Sequence, residues 1–137
     1  MAEGILRHQA QLRGLQIETD SAGTGNYHIG EAPDRRAQAA MLRKGIQIHD
    51  LRARQLHPSD FDRFDAIYTM DRSNYNNTLA LARTEAHRKK VKPILDELFP
   101  GEHREVPDPY FGGDSGFDAV YQMLHDACER ILDQLHA

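Results

Sequence analysis

A mostly parallel sheet with helices on both faces is the fold class this sequence predicts, and three observations predict it. Short apolar runs alternate with helical periodicities along the chain, the order that parallel strands need because each crossover must pass over a face of the sheet. AIYTM, around Ile67 and Tyr68, is a compact apolar run of strand length. The carboxyl-terminal stretch repeats Phe117, Val120, Tyr121, Leu124, Cys128, Ile131, Leu132 and Leu135 at spacings of three and four, which gives a long helix one buried face.

The remaining elements follow from local signals. Ala2, Ile5, Leu6, Gln9 and Leu12 share a helical stripe, and Gly14 stands just past its end. LQIETDSAG alternates apolar and polar residues from Leu15 through Thr19 before reaching Gly23, Gly25 and Gly30, so it predicts a strand and then a loop. Pro33 and Asp34 introduce RRAQAAMLRKG, a second helix closed by Gly45. Pro58 and Ser59 open a short helix ahead of AIYTM, and Asp71 and Ser73 are candidate caps for a helix through NYNNTLALA. KVKPIL is a weaker strand, and Pro93 places it at or near a sheet edge. Three strands against at least four helices are few for such a sheet. The deficit lies at the amino end, where the opening helix has no strand to feed it.

Composition narrows the function. The 137 residues predict a single domain spanning 1–137, and no apolar run approaches the roughly 18 residues of a membrane span. A net charge of -4 argues against a general nucleic-acid binder. The run RKK at 88–90 reads as a solvated helix end or the start of a strand. No secretory leader precedes the first helix, so a cytoplasmic location is the expectation. The single Cys128 excludes an internal disulfide, and the eight histidines lack the spacing of a metal site, so no metal or other cofactor is expected. The default for those histidines is an exposed surface.

MAEGILRH, DSAGTGNYHIGEAPDRRAQ, ARQL, FDAIYTMDRSN and VPDPYFGGDSGFDAVY together resemble the low-molecular-weight protein tyrosine phosphatases, in order and spacing along the whole chain. In that family a strand and a phosphate-binding loop of the form C-x5-R-[ST]-P come directly before the MAEG-type sequence, and this chain has neither. The resemblance therefore implies a phosphatase-like α/β domain, amino-terminally clipped relative to the family, with its first strand missing.

It also implies a chemistry. Phosphotyrosine or another aryl phosphate would be hydrolysed without a metal through a phosphocysteine, with backbone N–H groups, an arginine and a helix N-terminus holding the phosphoryl oxygens. By match, Asp108 is the general acid that protonates the leaving phenolate. VPDPY alone fits a turn aspartate before proline equally well. Tyr110 and Phe111 would wall one side of the cleft and Tyr27 the opposite rim, although each also suits core packing. Ser21 matches a hydroxyl that braces the phosphate loop, a role without a partner in this chain. Leu51 stands where many relatives place a histidine that also braces it. Cys128 cannot replace the nucleophile, because ERILDQL puts Gln134 where the motif needs arginine and the apolar stripe makes the thiol a buried structural one.

Losing a central strand would expose about five apolar side chains at roughly 1.5–3 kcal/mol each, on the order of 10 kcal/mol. A typical domain has about 5–15 kcal/mol in total. A monomer without that strand should be marginal, so either a homo-oligomer or strand-swapped dimer closes the open edges or, the simpler and favoured expectation, Met1 is an internal methionine and the natural protein carries the strand and loop upstream. The expected function is thus protein tyrosine phosphatase by family, inactive in this chain. Alternatives are a non-catalytic self-associating or partner-binding remnant and, less favoured for want of redox cysteines, an arsenate reductase.

Overall fold

The computed structural model describes residues 1–25, 29–108 and 113–136. Helix α1, Ala2–Leu12, buries Ile5, Gln9 and Ala10 and hands over to Gly14 at φ +69°, a left-handed position that suits glycine. Helix α2, Arg35–Leu42, starts where Asp34 accepts from the N–H groups of Arg36 and Ala37. The short α3, Asp60–Arg63, follows Ser59. Strand β1, Ile67–Thr69, leads into α4, Arg72–Leu81, whose start Asp71 caps by accepting from the Asn74 N–H at 2.7 Å. Helix α5, Glu85–Lys89, is capped by Thr84 and runs through the basic cluster into β2, Val91–Pro93, and a 3-10 turn at Ile94–Glu97. Helix α6, Gly113–His136, closes the described chain.

The described sheet has two strands. β1 and β2 are parallel, with Ile67 opposite Val91, Tyr68 opposite Lys92 and Thr69 opposite Pro93. Proline therefore stands at the last ladder position of an edge strand, as its missing N–H requires. The third expected strand is corrected. Residues 15–20 do alternate half-buried and exposed side chains, the period of an extended chain. No ladder forms there, and the nearest pairing is the isolated parallel bridge of Gly23 with Gln55. Alternation sets which way side chains point, whereas a strand also needs a neighbouring backbone to bond.

The core explains which helices matter. Ile5, Met41, Ile46, Ile48, Phe117 and Leu124 belong to one buried cluster shared by α1, α2 and α6. Tyr68 packs against that cluster, so Ile67 and Thr69 point to the other face, where α4 lies on both strands. Helices thus flank the sheet. Leu12 and Leu135, expected on the buried stripes, are 75% and 59% exposed. Both lie at helix ends beyond the shared core, where Arg13 pairs with Glu129 and Asp133. His87 departs from the exposed default too: its ring stacks on buried Phe61, and Nε2 meets Asp62 at 2.8 Å. No described helix is long and apolar enough to cross a membrane.

A trough of about 750 Å³ separates the 19–22 segment from β1. Met1, Ala2 and Leu6 of the α1 region and Val120, Leu124 and Cys128 of α6 line it. Where a sheet would be continuous, this one is open.

Candidate active site

In an open α/β sheet, ligands bind beyond the carboxyl ends of the strands, where loops and helix N-termini meet. Here that end is assembled by backbone bonds. The Val106 N–H donates to the Met70 carbonyl at 2.8 Å, which carries Pro107 and Asp108 to the end of β1. The neighbouring Arg72 N–H donates to Glu105 at 2.9 Å and fixes the same segment from below. Asp108 is exposed and lines the mouth of the trough, between prolines in the sequence that hold its backbone.

The opposite rim is held by residues 53–56. Gly23 donates to the Arg54 carbonyl at 2.9 Å, Leu56 donates back to Gly23 at 2.7 Å, and Gly30 donates to Ala53 at 2.7 Å. Beneath these bonds Arg54 reaches Asp20 at 3.0 Å and grips both oxygens of Asp60, at 2.9 and 3.1 Å. Burial pushes the Asp60 carboxyl up, but Arg54 and the His57 N–H outweigh it and hold it below the ordinary carboxylate value. Asp60 is a buried anion held in place by a bidentate guanidinium. Nothing in the local sequence around Asp60 announces that pairing.

Ser21 also lines the trough. It donates to Glu3 Oε1 at 2.5 Å, tying the segment to the first turn of α1. Glu3 stands eighteen positions earlier in the chain, and the fold returns it to the same place. Leu51 is half-buried against the core and lines the trough as an apolar side chain. Tyr27, Tyr110 and Phe111 lie outside the described residues. Among the described residues no group of three or more histidine, cysteine, aspartate or glutamate side chains is arranged to hold a metal.

Across all 137 residues the chain matches the sequence model of the family described as low molecular weight phosphotyrosine protein phosphatase. The chain belongs to that family. A Synechocystis protein ascribed to the low molecular weight protein-tyrosine-phosphatases is 44% identical over 136 residues, 98% of this chain and 86% of that protein. The low molecular weight protein-tyrosine-phosphatase YfkJ of Bacillus subtilis is 37% identical over 134 residues, 96% of this chain and 84% of that protein. Among solved structures, a protein tyrosine phosphatase from Entamoeba histolytica superposes with a TM-score of 0.89 at 35% identity, covering 98% of this chain and 86% of that one. A Drosophila arginine phosphatase superposes at 0.88 with 31% identity, covering 99% and 88%.

Against the phosphatase family, two features of this chain stand out. Among the residues of this sequence α1 is the first element, and the single cysteine, Cys128, is far from the start of that helix. Cys128 sits mid-way along α6, 1% exposed, with its side chain toward the trough. Desolvation, reinforced by Glu129, pushes its thiol up to about 12. Near neutral pH it is a thiol, whereas a phosphocysteine mechanism starts from a thiolate.

Proposed function

We propose that this chain carries the acid and aromatic half of a phosphotyrosine phosphatase site and does not by itself hydrolyse phosphate monoesters. The buried, protonated position of Cys128 carries the reading. In-line attack on phosphorus needs a thiolate, an arginine and converging N–H donors, and the sequence has no C-x5-R run to provide them. Asp108 would serve as general acid toward a leaving phenolate, from its exposed place at the carboxyl end of β1. Tyr27, Tyr110 and Phe111 would flank the phenyl ring, and Ser21 with Glu3 would brace whatever loop meets α1. The substrate class is an aryl phosphate or phosphotyrosine protein in the cytoplasm. The Drosophila relative, described as an arginine phosphatase, warns that the fold alone does not select the leaving group.

The test has two stages. Incubated with p-nitrophenyl phosphate, the purified chain should release phenolate no faster than buffer, and turnover inhibited by vanadate would overturn the reading. A fusion placing the amino-terminal strand and phosphate loop of the Bacillus subtilis relative ahead of Met1 should gain activity. In that fusion Asp108→Asn should lower kcat by about 10²–10⁴-fold if Asp108 is the acid. An unchanged kcat would remove Asp108 from the mechanism while leaving the first stage intact.

A second reading, a binding module without chemistry, is favoured by the trough itself.

A further inference from the structure

The segment that carries Asp108 is tied to the start of α4 by a side chain as well as by its backbone. From Phe99 the chain reverses through Gly101 at φ +77° and His103 at φ +51°, and the His103 N–H donates to Asp96 at 3.0 Å. Two residues later Glu105 accepts from the Arg72 N–H at 2.9 Å, and the Val106 N–H donates to the Met70 carbonyl at 2.8 Å. The two bonds straddle Asp71, whose own carboxylate accepts from the Asn74 N–H at 2.7 Å. Arg72 is the first residue of a ten-residue helix, where N–H groups have no intrahelical acceptor. Glu105 supplies one from thirty-three positions away, at a helix end that also favours negative charge.

Two anchors fix what one cannot. Val106, half-buried against the core and bonded to Met70, holds the position of the segment but leaves it free to turn about that bond. The second bond, from Glu105 to Arg72, sets the direction in which the chain leaves. Only Val106 and Pro107 stand between Glu105 and Asp108, and a proline ring fixes its φ at about −65°. A turn at Glu105 therefore reaches the Asp108 carboxylate with little between them to absorb it. General acid catalysis is sensitive to such a shift, because the proton must pass along one hydrogen bond to the leaving oxygen. Glu105 spends its own bond on α4 and so acts through Asp108.

We propose that Glu105 is a positioning residue for the general acid: by accepting the first N–H of α4 from within the acid-bearing segment, it sets the reach of Asp108 toward the leaving oxygen. The inference rests on the phosphatase reading of Asp108 and extends it to a residue outside the DPYFGG run. It carries a kinetic signature. A p-nitrophenolate leaves with little help from an acid, whereas unsubstituted phenolate, the more basic oxygen, depends on receiving the proton as the bond to phosphorus breaks. Misplacing the acid therefore penalises phenyl phosphate more than p-nitrophenyl phosphate.

The experiment has one arm on the full 137-residue chain and one on the fusion that carries the relative's phosphate loop. In the chain, Glu105→Ala should speed hydrogen exchange at the Arg72 and Val106 amides by about tenfold and leave the α6 amides unchanged. Glu105→Gln keeps an acceptor oxygen and should restore most of that protection. In the fusion, Glu105→Ala should lower kcat/KM by about tenfold for phenyl phosphate and about twofold for p-nitrophenyl phosphate, with Glu105→Gln recovering most of both. In an Asp108→Asn background Glu105→Ala should cost nothing further, because the acid it positions is gone. Equal losses for the two substrates, or an undiminished loss beside Asp108→Asn, would make Glu105 a general support of the fold and overturn the proposal. Unchanged exchange at Arg72 and Val106 would overturn it without any turnover being measured. A parent fusion that turns over neither substrate counts against the phosphatase reading itself and takes this role down with it, whereas an active fusion whose Glu105 variants fail these tests counts against the role alone.

Discussion

Cys128 illustrates how one residue's surroundings decide its chemistry. The family's chemistry needs a low thiol pKa, which comes from N–H donors and cations near the sulfur. Cys128 has instead the apolar side of α6, and desolvation moves it the opposite way, to about 12 from an ordinary value of 9.0. The sign of the resulting pH dependence is definite. Above pH 9 the unfolded chain releases a proton that the folded chain retains, so unfolding is favoured as pH rises. The stability tied to this thiol is fully present below about pH 9 and is lost toward pH 12, at about 1.4 kcal/mol per unit. Cys128→Ala should lower stability modestly at neutral pH through lost packing and flatten the alkaline slope. Urea unfolding of both proteins on either side of pH 9 measures this. An equal slope in the two would mean the sulfur is solvated in the folded chain.

Among the elements, α1 depends on a close approach that its periodicity does not reveal. A Cβ added at Gly4 would overlap Cγ2 of Ile48, a side chain only 1% exposed and unable to move aside. Gly4→Ala should therefore destabilise the protein by about 1–3 kcal/mol, even though alanine favours a helix interior by about 1 kcal/mol over glycine. Ile48→Ala removes the Cγ2 that the new Cβ would meet, so Gly4→Ala should cost less in that background than in the parent chain, as read by thermal or denaturant midpoints. The elements that were legible in the sequence carry their signals locally. Asp34 and Asp71 cap the helices that they precede, Gly14 and Gly45 take positive φ where helices end, and Pro93 marks an edge. Residues 15–20 also show the right alternation. Their failure to form a strand was illegible because it depends on a neighbour elsewhere in space. The site divides the same way. Asp108 as a candidate rests on the motif around it, while the Ser21–Glu3 and Arg54–Asp60 pairs are tertiary contacts without a sequence signature.

For the molecule as a whole, the open trough makes stability uneven. Filling a sheet's interior couples its two halves, because each strand bonds both neighbours and buries both faces. Here the helices α1, α2 and α6 share a closed apolar cluster, while β1 and β2 bond only each other and residues 15–20 lean on α1 through Ser21. Amides open with free energies that follow such local support, from near zero for unbonded segments up to the global value for core helices. Hydrogen exchange should accordingly find the α6 amides around Leu124–Leu132 slowest, β1 intermediate, and residues 16–20 close to unprotected rates. Any ligand that binds only the folded state should stabilise it by RT ln(1 + [L]/Kd). If residues 16–20 instead exchanged as slowly as α6 at every protein concentration, the two edges would have to be joined within one molecule. The open trough would then be the wrong description of this fold in solution.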